Sequence, residues 1–228
     1  MRNPRYWITI WMLLFTAVLT LAGCSFVPPA ANRDADIIVV GDSILAWHRG
    51  SGRSIPSIVE QSTNLEVSNV AISGATFLGA QGIPTQFVSD DWDWVIVDGG
   101  ANDLLTLCQT PDVQRVLNTI ISEDGTSGAF PVFVNQVADQ GAQVIVLGYY
   151  PISDQGGPFI QCRSEFNELA ARQSRMAALN PSVIFVDSGQ VIGSGDAAAY
   201  ASDLVHPSPR GAALVGQLIA SIIRRNGA

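Results

Sequence analysis

Ile37-Ile38-Val39-Val40-Gly41-Asp42-Ser43 is the stretch on which the fold turns. Four β-branched residues in a row, with no polar alternation and a glycine to close them, read as a strand buried on both faces, as at the centre of a parallel sheet. Ser43 then stands just past the strand's carboxyl end, where open α/β sheets bind ligands, and is a candidate nucleophile. On these residues alone, Asp42 or Ser43 would serve equally well to cap a following helix.

Outward from this run the chain alternates short apolar stretches with helical patterns, without internal repeats. Strands are predicted over Ile37 to Val40, Leu65 to Val70, Trp94 to Asp98, Val144 to Leu147 and Val183 to Val186. Helical patterns fall near Ile44 to Arg49, Pro56 to Gln61, Asp112 to Ile121, Val132 to Gln140 and Arg163 to Leu179. In a last helix Leu214, Val215, Leu218 and Ile222 share a face, and Arg224 and Arg225 complement the dipole at its end. The expected fold is therefore α/β: a three-layer α/β/α sandwich on a five-stranded parallel sheet of order 2-1-3-4-5, flavodoxin-like in architecture. Two connections, Gly99 to Pro111 and Gly148 to Gln161, are longer than this topology requires and leave the same edge as Ser43, as loops that shape binding sites do.

Composition narrows the chemistry. The chain contains no lysine, which excludes a P-loop lysine, a pyridoxal Schiff base and a lysine general base. With His48 and His206 as the two histidines, a poly-histidine zinc site is disfavoured, and a histidine base must be one of the pair. At the amino terminus, Arg2 and Arg5 precede an apolar stretch from Ile8 to Leu21, the layout of a signal peptide over residues 1–23; the stretch is short for a spanning anchor. Leu21-Ala22-Gly23-Cys24 resembles the lipobox of bacterial lipoproteins. That likeness implies lipidation of Cys24 and a tether over residues 24–35; the remaining length, 36–228, suits one domain with a full core. The lipobox likeness also implies an exported protein anchored in the cell envelope, Ser25 after the cysteine pointing to an outer membrane where two are present. Loss of Arg2 and Arg5 would take the formal charge from −8 to −10, which argues against nucleic acid as a partner. Cys108 and Cys162 remain as an even pair in an exported chain, which suggests a disulfide between the two long loops over two free thiols.

Three further polar clusters fall at the Ser43 edge. Gly74, in Ser73-Gly74 after the second strand, lets backbone approach a ligand and present its N–H, or is an ordinary turn glycine. Asn102, in Gly100-Ala101-Asn102-Asp103 after the third, can aim an amide inward or close an Asx turn. Asp203-Leu204-Val205-His206 precedes the last helix, and a turn of that length can bring the carboxylate back onto the imidazole, as hydrolysis by a serine requires. His48 is the poorer base, being expected on the helix that follows Ser43 itself.

In this order and at these places the four clusters resemble the SGNH, or GDSL-like, hydrolase family: Ser43 in Gly41-Asp42-Ser43, Gly74, Asn102 in Gly100-x-Asn102-Asp103, and His206 in Asp203-x-x-His206. The likeness spans Asp36 to Arg225, with Ile44 where leucine is usual and Ala71 where glycine is frequent. It implies a serine ester hydrolase with Ser43, His206 and Asp203 as triad, and an oxyanion hole from the backbone N–H groups of Ser43 and Gly74 and the Asn102 amide. No metal or organic cofactor is expected. Trp47, His48, Phe77, Tyr149 and Tyr150 are candidate substrate contacts. Small-molecule, glycan or lipid acyl esters are the implied substrates; acyl transfer from the same site and a non-catalytic binding lipoprotein remain alternatives, and the oligomeric state is left open.

Overall fold

The computed structural model describes residues 28–227; Cys24 and the expected signal peptide lie outside them. β1 (Ile37–Val40), β2 (Val67–Asn69), β3 (Trp94–Val97), β4 (Gln143–Gly148) and β5 (Val183–Asp187) form one parallel sheet in the order β2-β1-β3-β4-β5. The expected order is the one found. β1 and β3 are buried along their whole length, which is why their sequences show no alternation.

Alternate residues of the strands feed two cores. Ile38, Val40, Val95 and Val97 pack with α4 (Val113–Ile120), α5 (Ala129–Ala138) and α6 (Arg163–Ala177) on one face. Ile37, Val39, Trp94 and Ile96 pack with α2 (Ile55–Thr63) and α7 (Pro209–Asn226) on the other. The α2–α7 contact is close because Gly216 has no side chain: a Cβ there would meet Ile58 at 2.6 Å. Ser208 accepts the Gly211 N–H and Pro209 opens α7, while Arg224 and Arg225 close it.

Three expectations need correction. The helix expected over Ile44 to Arg49 is only α1 (Ser43–Ala46), because Trp47 is extended and His48 takes φ +62°, outside any right-handed helix. β2 is a three-residue edge strand, shorter than Leu65 to Val70. The last part of the stretch expected as tether is held against the domain: Ala35 is buried, Ala31 lies against the core, and Asn32 N–H donates to Ser68 Oγ at 2.8 Å.

Short α3 (Ala101–Leu104) follows β3 at the carboxyl edge. Cys108, beyond α3, is bonded to Cys162, just before α6, with Cα atoms 5.1 Å apart. The two long loops are thus tied at the rim where Ser43 emerges.

Candidate active site

Gly41 turns the chain out of β1 with φ +158°, and a Cβ there would overlap Asp98 Oδ1. Only glycine lets the strand end this close to the buried acid. Gln86 clasps the turn from both sides, accepting the Gly41 N–H at 2.8 Å and donating to its carbonyl at 2.9 Å. Asp42 then caps α1 by accepting the Ile44 N–H at 2.9 Å, and its own N–H donates to Asp98 Oδ1 at 2.8 Å. Ser43 is thereby fixed at the first position of α1, on the wall of an apolar cavity of about 40 Å³ shared with Asn102, Tyr149, Tyr150, Phe159 and Phe166.

Before α7, Asp203 folds back onto the ring it precedes. His206 Nδ1 stands 2.6 Å from Asp203 Oδ2, while Asp203 Oδ1 accepts the backbone N–H groups of Val205 and His206 at 3.0 Å each. Leu204 takes φ +61° to close this loop. Tyr150 O–H donates to Val205 O at 2.6 Å, and His48 Nε2 lies 3.1 Å from Pro207 O, so the histidine passed over as base braces the loop instead. Trp47 lies flat on the His206 ring, centroids 3.8 Å apart and planes 6° from parallel. His206 Nε2, the atom that would take a proton from a nucleophile, is buried and hydrogen-bonded to nothing among the described residues.

The acids of this edge are of two electrical kinds. Partial burial pushes Asp203 up, but hydrogen bonds from His206 and the backbone outweigh it and hold the carboxyl below its ordinary range. Full burial pushes Asp98 well above the ordinary carboxylate range, and the adjacent Asp42 charge pushes it further. Asp42 is raised too, chiefly by burial, with the Ile44 N–H and the Tyr149 hydroxyl opposing. Tyr149 O–H donates to Asp42 Oδ2 at 2.7 Å, and burial next to that acid keeps the phenol protonated.

Asn102 Nδ2 donates to Ala75 O at 2.9 Å and to Asp42 Oδ2 at 3.3 Å, so its amide joins the Gly74 loop to the helix that carries Ser43. Asp103 braces the same loop by accepting the N–H groups of Phe77 (2.6 Å) and Leu78 (2.9 Å). Gly74 takes φ +77° and borders a neighbouring groove, not the Ser43 cavity.

Of the expected substrate contacts, Tyr149 and Tyr150 line the cavity. Trp47 and His48 serve the His206 loop. Phe77 is core, 2% exposed and stacked on Phe130 at 4.4 Å between centroids. Asp98 and Gln86 were not among the expected site residues, and the bond of Tyr149 to Asp42 was not expected. Asp98, an acid directly after a wholly buried strand, left a visible signal; Gln86 and the Tyr149 hydroxyl left none.

The family model for GDSL-like lipases and acylhydrolases matches residues 39–214. Among solved structures, the chain is similar to an inhibitor-bound aryl esterase of M. smegmatis (18% identity, 83% of this chain and 98% of that one, TM-score 0.63). It is also similar to a carbohydrate acetylesterase of Sinorhizobium meliloti (17%, 83% and 98%, TM-score 0.61). A lipolytic G-D-S-L family protein of Veillonella parvula is alike at 23% identity, 83% and 98% coverage and TM-score 0.59. No curated protein matches.

Proposed function

Because the chain belongs to the GDSL-like lipase/acylhydrolase family, and so is an ester-hydrolysing enzyme, we propose that it cleaves short acyl esters through an acyl-enzyme on Ser43. Ser43 Oγ attacks the carbonyl carbon while His206 Nε2 takes its proton; the tetrahedral adduct collapses, and His206 returns the proton to the departing alcohol. Water then repeats the cycle on the acyl-serine. Asp203 holds the ring through Nδ1 and stabilises the imidazolium, with the Trp47 face giving a further cation–π contact. The oxyanion is received by the N–H of Ser43 and by the Asn102 hydrogen whose contact with Asp42 is the longer of its two; Gly74, which borders the neighbouring groove, is left out of this hole.

The observation that carries this reading is the Asp203–His206 contact in a braced loop whose Nε2 is left unpartnered. The small cavity, about 40 Å³, supports the choice of a short acyl chain. Its apolar lining suits carbon and leaves the alcohol towards solvent, where an aryl or a sugar group fits equally. Cys24 is taken as the lipid anchor, which places the enzyme in the cell envelope.

The test compares wild type and Ser43→Ala on p-nitrophenyl acetate, butyrate and octanoate. Acetate and butyrate should turn over well, octanoate at least about tenfold more slowly, and Ser43→Ala on none. Equal silence of both proteins on all three would favour the binding-lipoprotein alternative. Turnover retained by Ser43→Ala would remove Ser43 from the mechanism.

A further inference from the structure

The segment that leads into β1 is laid along the sheet with a definite direction. Ala35 is buried at the amino end of β1, Arg33 pairs with Asp90 at 2.6 Å, and Asn32 donates to Ser68 halfway along β2. Continuing backwards, Pro28 and Pro29 line a groove whose other wall is Ser73, Gly74 and Ala75, beyond the carboxyl end of β2. Going back from β1, the chain therefore returns to the edge that bears Ser43. Ala75 O holds the Asn102 amide, and Asn102 lines the Ser43 cavity, so Pro28 is one loop away from the site.

Cys24 precedes Pro28 by four residues, which span at most about 14 Å. A lipid on Cys24 would then be leashed to the catalytic edge and kept from the opposite one, since a domain of this length is roughly 40 Å across. We propose that the carboxyl edge of the sheet faces the bilayer that holds this lipid, so that the ester hydrolysed lies in or beside the headgroup layer. The proposal rests on the reading of Cys24 as the lipidated residue. The short leash, not charge, sets the orientation: a formal charge of −8, or −10 without Arg2 and Arg5, is repelled by anionic lipid. Zwitterionic vesicles should therefore suffice.

The test uses the lipidated protein in phosphatidylcholine vesicles containing a headgroup nitroxide quencher. With Cys108 and Cys162 bonded to each other and Cys24 acylated, one introduced cysteine is the sole labelling site. A fluorophore is placed either at exposed Gln81, which lines the groove beside Gly74 (Gln81→Cys), or at exposed Asp139, on the loop before β4 at the other edge (Asp139→Cys). Quenching should be at least about threefold stronger at position 81, and a fifteen-residue Gly/Ser insertion between Val27 and Pro28 should erase most of the difference. Equal quenching without the insertion, or stronger quenching at 139, overturns the orientation. A protein that fails to float with vesicles, its Cys24 peptide carrying no diacylglyceryl mass, overturns the premise. Turnover of soluble p-nitrophenyl acetate does not involve Cys24 and reports separately on the Ser43 mechanism.

Discussion

Two acid sites on one sheet edge behave in opposite ways. Asp203, its side chain 39% exposed, is held below the ordinary carboxylate range by the donors turned towards it, whereas Asp98, wholly buried beside Asp42, is pushed well above it. The difference separates two tasks that carboxyl groups perform here. In the proposed mechanism the acid that favours ionisation answers the charge that would develop on His206, while the acid that favours its proton accepts the Asp42 N–H and holds a turn inside the core.

The largest break in this comparison should come from Asp203→Asn. The amide cannot stabilise an imidazolium and favours the wrong tautomer, so kcat should fall by about 10³- to 10⁴-fold. Because the side chain is partly exposed, the midpoint of thermal unfolding should barely move. Next in size, Asn102→Ala should lower kcat by about 10²- to 10³-fold with KM little changed, read from initial rates on p-nitrophenyl acetate.

Asp98→Asn sharpens the contrast through stability. Since the folded pKa of Asp98 is raised, the native state binds more protons than the unfolded chain from about pH 4 upward. Wild-type stability should therefore decline as pH rises through that window. Asn keeps the Oδ1 acceptor for Asp42 and does not titrate, so urea midpoints measured between pH 4 and 8 should decline less in the variant. Trp47→Leu should be the mildest change: loss of a contact of about 0.5–1 kcal/mol with the imidazolium costs kcat about two- to fivefold. Trp47→Phe, which retains a ring, should recover most of it.

The sequence made local features legible and distant ones opaque. β1 could be read because burial on both faces leaves an unbroken apolar run, and the 203–206 loop because carboxylate and imidazole are three residues apart. The clasp of Gln86 on Gly41 spans 45 residues, that of Asp98 on Asp42 spans 56, and that of Tyr149 on Asp42 spans 107. No periodicity encodes such pairings. Phe77 was misassigned because an aromatic near a strand end suits a pocket or a core equally; its stack on Phe130 decides for the core. Trp47, expected as a substrate contact, lies on the His206 ring instead, since the early end of α1 and the left-handed His48 swing it there.

The central claim is that Ser43 is the nucleophile and His206 its base. Fluorophosphonate labelling followed by peptide mass analysis tests it most directly. One adduct is expected, on the peptide that carries Ser43, absent in Ser43→Ala and formed at least about a hundredfold more slowly in His206→Ala. An adduct on a different serine, or labelling of Ser43 at an undiminished rate in His206→Ala, would contradict the account.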